Sequence, residues 1–449
     1  MPRAKIKKIE EIAKRARRIP NKKIEKGWFV SLRPLLERVG WVLIGIIIFR
    51  IGAHIPVPGI NSAKLSALFS SSFGGVLNMF NMFSGGALRR FTLFALGVMP
   101  YISASIIIQL LTVVSPHLEE LKKEGETGQK KINDYTRKLT LLLAIVQAFG
   151  ISKMLVSQGI VLYAGFGFYS IAVVSLVAGT MFLVWLGDLL TERGIGNGIS
   201  LIITSGIIAT LPAALMRLFS VLNEGQLQPI VVVFAILFIA LILFGVVFFE
   251  SALRRIPVTY AMRQQGRKLF GSQKSHLPLK LNLSGVIPPI FATSIILFPA
   301  SIAQWFGHGG NFPFLTSLAG MLQRGPIYIL LFSFGILFFS FFYAALVFNP
   351  KETADNLRRS GAFVPGIRPG AQTADYIDGV ITRLTLFGSL YLVIVCLVPR
   401  YLFAAWNLPF YFGGTSLLIV VVVLMDFMSQ FQTHLISSRY GSMIKKAKM

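Results

Sequence analysis

Few side chains in this sequence have both the type and the spacing for covalent or metal chemistry. Cys396 is the single cysteine, which excludes an intramolecular disulfide and a thiolate metal cluster. The five histidines are scattered and no H-E-x-x-H occurs, leaving little for metal catalysis. Arg193-Gly-Ile-Gly-Asn-Gly198 resembles a fragment of a nucleotide loop, yet it lacks the full G-x-G-x-x-G pattern and follows no strand. It reads as a tight turn. No catalytic, cofactor or metal residue is expected, and the chain is not read as an enzyme. What remains is charge: 44 Lys and Arg against 18 Asp and Glu, net +26, in a chain only 14% charged. Cations so concentrated suit anionic partners, among them acidic protein surfaces, RNA phosphates and lipid headgroups.

The elements that must position those cations are apolar. The chain of 449 residues is 54% hydrophobic with a mean hydropathy of +0.69, far from the quarter-charged composition of soluble domains. Apolar runs fall at about 39–55, 91–114, 137–155, 169–187, 198–216, 229–249, 285–304, 327–348, 381–399 and 412–431. In lipid the backbone must satisfy itself, so these runs are expected as ten membrane-spanning helices. An even number puts both termini on one side. With the N-terminus inside, 36 of the 44 Lys and Arg fall in inner segments, a strong positive-inside bias. Both termini are therefore expected in the cytoplasm. The first segment is no cleavable signal peptide, because many basic residues precede a short apolar run with no A-x-A site.

Two connecting regions exceed what a turn needs. Asn61 to Arg90 has no acid and many small residues, and Leu65, Leu68 and Phe69 sit at helical spacing. It is either a loop packed on the outer face or a re-entrant segment folding into a protein-lined cavity. The inner loops Glu250–Ser284 and Asn349–Arg383 are long, basic and punctuated by Gly and Pro. Such loops either set topology or dock an anionic partner.

Acids inside the spans are nearly missing. Asp426 sits about 20 Å along its helix from Gly413, towards the inner interface. There it reads as a pairing or capping residue rather than a relay. Asp188 and Glu250 fall at inner edges, and Arg50 either lines a wet cavity or snorkels. Span 2 carries Ser103, Ser105, Gln109 and Thr112, and span 7 carries Thr293 and Ser294. These either glue helices together or mark a seam that opens.

Several strings are too specific for chance: Phe80-Asn-Met-Phe-Ser-Gly-Gly86, Gly97-Val-Met-Pro-Tyr-Ile-Ser-Ala-Ser-Ile106, Thr191-Glu-Arg-Gly-Ile-Gly-Asn-Gly198, Phe348-Asn-Pro-Lys-Glu-Thr-Ala-Asp-Asn356 and Gly361-Ala-Phe-Val-Pro-Gly-Ile-Arg-Pro-Gly370. In these the chain resembles the bacterial SecY family, the channel subunits of the general protein translocon. The likeness runs from about Leu32 to the C-terminal tail and leaves the basic segment Met1 to Trp28 uncovered.

The resemblance implies an all-α polytopic membrane protein of the bacterial plasma membrane. Its ten helices would form two inverted five-helix halves around an hourglass pore. On that plan residues 1–35 are a basic N-terminal segment, 36–220 the first half, 221–435 the second half and 436–449 a tail. The pore ring would be Val98, Ile102, Ile199, Ile203, Ile290 and Ile419, with valine departing from a mostly isoleucine pattern. A plug would lie at about 62–73, carrying Leu65, Leu68 and Phe69. Spans 2 and 7 would bound a lateral gate at Ser103, Ile106, Gln109 and Thr293. Arg254, Arg255, Arg263, Arg267, Lys268 and Arg368 would dock the SecA motor or a ribosome, including its RNA. Further implied partners are the small membrane subunits SecE and SecG, signal peptides and nascent chains, YidC, SecDF and anionic lipids. No cofactor is implied. A secondary transporter of a small solute also fits ten spans, against which stand the absent intramembrane acids and the oversized basic loops. A structural subunit of a larger complex explains the apolarity but not the plug-like segment.

Overall fold

The computed structural model describes residues 21–61, 64–65, 80–163, 165–225, 228–260, 263–265, 268–270, 274–307, 325–406 and 413–447. Its helices are α1 (Asn21–Gly52), α2 (Met99–Val114), α3 (Pro116–Lys123), α4 (Glu126–Ser157), α5 (Phe166–Arg193), α6 (Gly198–Asn223) and α7 (Pro229–Ser251). They continue with α8 (Ile287–Gly307), α9 (Pro326–Val347), α10 (Pro350–Arg359), α11 (Ala371–Ala405) and α12 (Gly414–Ala447). Among the described residues seven helices are long and apolar enough to cross a membrane, or eight if the bent pair α2–α3 is one span. The apolar part of α8, Ile287–Pro299, is shorter. Large apolar side chains are exposed along these helices, Phe234, Leu237, Leu241 and Phe244 of α7 among them. That surface suits lipid and not water. This is a multi-pass membrane protein.

Helix ends follow local chemistry. The apolar run expected to start span 2 at residue 91 is not helical before Met99. Gly97 adopts φ 58°, Phe91 adopts φ 44°, and Pro100 occupies the first turn of α2, where its missing N–H costs nothing. Pro116 ends the same span: it holds Ser115 extended at ψ 117°, and α3 departs at 97°. The first apolar run belongs to a longer helix than expected, since α1 begins at Asn21, before the expected boundary at 35, and stops at Gly52. The N-terminal twenty residues lie outside the described part.

In the bundle α4 packs on α2 and α5, and α6 packs on α5. In the rest of the chain α9 packs on α8 and α11, and α12 packs on α11 and α7. These two groups meet where α8 lies on α2 and α4 and where α12 lies on α1 and α6.

The membrane-crossing part is all-helical, as expected of an all-α polytopic protein, and the connectors add short strands to it. These are β1 (Leu253–Tyr260), β2 (Arg263–Gln265), β3 (Lys268–Phe270), β4 (Lys274–Lys280) and β5 (Ala362–Phe363). β1 pairs antiparallel with β4, from Leu253 opposite Lys280 to Thr259 opposite Lys274, and β5 adds to the other edge of β1. The reason is a period of two: Ile256 and Val258 are buried between exposed Arg255, Pro257 and half-buried Thr259.

Candidate functional site

The six aliphatic positions singled out in the sequence come from four helices. Val98, Ile102, Ile203 and Ile419 are buried in one hydrophobic cluster, and Ile199 and Ile290 pack against it half-buried. Local caps fix two of them. Val98 is the N-cap residue of α2. The Asn197 side chain caps α6, accepting from the Ile199 and Ser200 N–H groups at 3.0 and 3.2 Å. Thr191 adds a brace, its hydroxyl accepting from Gly198 N–H and donating to the Gly187 carbonyl, both at 2.8 Å. Ile199 also makes a packing contact: a Cβ at Gly187 would fall 2.6 Å from its Cγ1. Branched aliphatics offer water no hydrogen bonds, so a narrow assembly of them dewets and blocks ions.

Leu65 joins the same cluster, 1% exposed. Phe80, Phe83, Ala87 and Leu88 of the same connector are buried there too. These side chains of the connector are thus folded into the core, while Lys64, Arg89 and Arg90 are exposed. Leu68 and Phe69 lie outside the described residues. Arg50 is half-buried, and its guanidinium donates to the Gly85 carbonyl at 3.4 Å.

The contact of α2 with α8 brings the four gate positions onto facing helices. Ile106 and Thr293 are buried, Ser103 and Gln109 half-buried. Their polar groups turn back on their own helices. Gln109 Nε2 donates to Ser105 Oγ at 3.1 Å, Thr112 Oγ1 to the Gln109 carbonyl at 2.7 Å, and Thr293 Oγ1 to the Pro289 carbonyl at 2.7 Å. Among the described residues no hydrogen bond crosses from α2 to α8, and Gln109 Oε1 is buried without a partner. Polar glue therefore does not hold this seam. At its end, Lys122 Nζ of α3 reaches the Leu346 carbonyl of α9 at 3.4 Å.

The two basic loops form one platform, which the sequence reading missed. Its sheet, β4–β1–β5, shares a second small core with α11, made of Ile256, Leu279, Val364, Ile377, Ile381 and Leu384. The alternation Arg255-Ile256-Pro257-Val258 was the available signal. Arg254 and Arg255 are exposed on β1. Arg263 and Lys268 lie in β2 and β3, with side chains outside the description, and Arg267 lies outside it altogether. Arg368 is exposed between Gly366 at φ 84° and Gly370 at φ 112°, conformations that favour glycine. Its carbonyl accepts from Thr373 Oγ1 at 2.9 Å, while its guanidinium has no ion pair among the described residues. Asn349 caps α10 through the Lys351 and Glu352 N–H groups, with Pro350 at the first turn.

The three acids singled out in the sequence are each engaged. Asp188 pairs with Arg137 at 2.7 Å and Asp426 with Lys280 at 3.9 Å, while Glu250 accepts from Asn282 Nδ2 at 3.1 Å. Asp426 thus has the pairing role expected of it. Beside the last two lies a cavity of about 280 Å³, walled by Asn197, Ser200, Asn282, Ser284, Tyr343 and Asp426, among others.

The family model for SecY matches residues 92–428. A protein translocase subunit SecY of Pseudomonas aeruginosa is 57% identical over 421 residues, covering 93% of this chain and 95% of the relative. Its counterpart in Escherichia coli K12 is 57% identical over 424 residues, covering 93% and 96%. The fold matches a solved structure described as a protein conducting channel at TM-score 0.67 and 18% identity, over 90% of this chain and 93% of that one. It matches Sec61 in a canine ribosome-channel complex at TM-score 0.63 and 17% identity, over 90% and 93%. None of these supports a small-solute transporter. Extending over nearly its whole length and over the connectors as well as the helices, the likeness means that this chain belongs to the SecY family.

Proposed function

We propose that this chain is the central, non-catalytic channel subunit of a Sec preprotein translocase in a bacterial inner membrane. It passes unfolded polypeptides across the bilayer and releases signal sequences and membrane helices sideways into lipid. The observation that carries the reading is the α2–α8 seam. It is a contact between two groups of helices that no hydrogen bond crosses among the described residues, beside an aliphatic cluster drawn from four helices. Such a cluster seals against ions yet widens around a passing chain without preferring a sequence. Ten crossings in two inverted halves, both termini inside, complete the proposal, with the ring, plug and gate at the positions named above. SecE and SecG are its small partner subunits. YidC, SecDF and anionic lipids are its further neighbours.

The platform is the proposed dock for SecA or a ribosome. Arg368 is its test residue, because a planar guanidinium binds carboxylate or phosphate bidentately and Lys cannot copy that fork. Arg368→Glu should cripple motor-driven export while expression and assembly stay normal, and Arg368→Lys should fall between. Export assays on reconstituted vesicles, normalised to folded channel, decide this. Lost folded channel with unchanged export per channel would make Arg368 structural.

A further inference from the structure

The platform must connect to the bundle somewhere, and the root of β1 and β4 is built unlike the rest of the loop. Glu250, in the last turn of α7, is 8% exposed, and its carboxylate accepts from Asn282 Nδ2 at 3.1 Å. The same Asn282 amide donates to the Gly285 carbonyl at 3.1 Å, and its oxygen accepts from Ser284 Oγ at 3.1 Å. Leu281 N–H donates to the Ala252 carbonyl at 3.0 Å, closing the ribbon beneath the sheet. Behind this connector, α11 comes close at Gly388, where a Cβ would lie 3.1 Å from the Leu281 carbonyl. In front lies the cavity of about 280 Å³, with residues 282–287 forming one wall and α12 another. The connector runs straight into α8, which carries Ile290 and Thr293 and lies on α2.

Two interactions hold this root, and their settings rank them. The Lys280–Asp426 pair is 3.9 Å long with side chains 56% and 58% exposed, so solvent screens it and it holds little. The Glu250–Asn282 bond is buried, and leaving either partner unmatched is costly. The connector is thus pinned to α7, backed by α11, open on its cavity side and continuous in the chain with the start of α8.

We propose that Glu250 and Asn282 are positioning residues that couple the β1–β4 platform to the gate helix α8, so that a load on the platform shifts α8 towards the cavity. The proposal rests on the docking and gate reading above. It adds that the bond acts on transmission and not on docking.

The test uses full-length channel with its partner subunits in vesicles, with Cys396 replaced. Spin labels sit at Ile107→Cys on α2 and Ile295→Cys on α8, both exposed. Ribosomes are added, and both their affinity and the label distance are measured. In the parent channel the distance distribution should shift on binding. Asn282→Asp keeps the shape but sets two carboxylates against each other. It should keep ribosome affinity within about twofold while at least halving the distance shift, since gating and docking are separate steps. Glu250→Gln still offers an oxygen to Asn282 Nδ2 and should respond as the parent does, which a purely structural defect would not reproduce. A full shift in Asn282→Asp overturns the coupling role alone. So does an equal loss in Glu250→Gln, which would make the charge and not the bond decisive. No shift in the parent channel despite ribosome binding overturns the gate reading and the coupling with it.

Discussion

Helices α5 and α6 meet backbone to backbone at a pair of glycines, whereas among the described residues no glycine brings α2 against α8. At the first contact a side chain on Gly198 would run into the Gly187 carbonyl, and Ile199 covers Gly187. At the second, α2 contains no glycine and α8 has one only at its last residue, Gly307. The difference matters because lipid tails are as apolar as leucine, so no hydrophobic driving force holds helices together inside a bilayer. What holds them is close packing and hydrogen bonding. The α5–α6 contact has the first at its tightest. Among the described residues the α2–α8 contact has no crossing hydrogen bond, and it buries an unmatched Gln109 oxygen. The first contact is welded, and the proposed gate needs the second to part.

The largest effect should come from spoiling the weld. Gly198→Val forces a backbone apart and should cost on the order of 3 kcal/mol or more, leaving little folded channel. Ser103→Ala on the seam should stay within about 0.5 kcal/mol. Thermal unfolding of the purified proteins compares them, and equal stability would erase the distinction.

Next comes locking the seam. With Cys396 replaced, a cysteine at Ser103 paired in turn with positions 290–298 should give at least one disulfide that abolishes transport until reduced. A control disulfide joining α5 to α6 should leave transport unchanged. Full transport through a completely cross-linked seam would sink the gate.

Asparagine at the aliphatic cluster separates sealing from packing. Ile102→Asn on the seam helix and Ile203→Asn on the welded helix should both raise ion conductance in planar bilayers, by about tenfold, because each adds a hydrogen-bonding group where water is excluded. If the cluster only packs, conductance stays flat and each variant merely loses about 2 kcal/mol of stability.

The smallest effect belongs to Gln109. Replacing it with Met removes the unmatched oxygen at nearly constant volume. The closed seam should gain about 0.5–1 kcal/mol, a two- to fivefold shift towards closure. Label distances across the seam would report it, and an unchanged or more open seam would mean that the oxygen costs nothing there.

Much of the helical plan was legible because hydropathy over twenty residues is a strong signal in lipid. The run 327–348 became α9 at Pro326–Val347, and 229–249 became α7 at Pro229–Ser251. Where proline and glycine chemistry competes with hydropathy the reading slipped, as at Phe91 to Val98, apolar yet not helical. The aliphatic positions were nameable only through family strings, since an isoleucine in a pore and one in a helix interface have the same neighbours in sequence. Ile199 on Gly187 is an example. The sheet escaped because its apolar alternation is short and its β5 strand is far away in the chain. The Glu250–Asn282 bond escaped because nothing in the two residue types announces the pairing.

That distance between β1 and β5 sets a schedule. Thr259 pairs with Phe363, about a hundred residues later in the chain, so at ordinary synthesis rates the last strand follows the first by about 5 to 20 s. Until then the ribbon of β1 and β4 has an open edge, and Val364, Ile377 and Ile381 are missing from its core. A partly made chain therefore lacks the finished sheet and its core. Chains stalled before Ala362 should bind ribosomes more weakly than chains stalled after Leu384, and equal binding would show that the ribbon alone suffices.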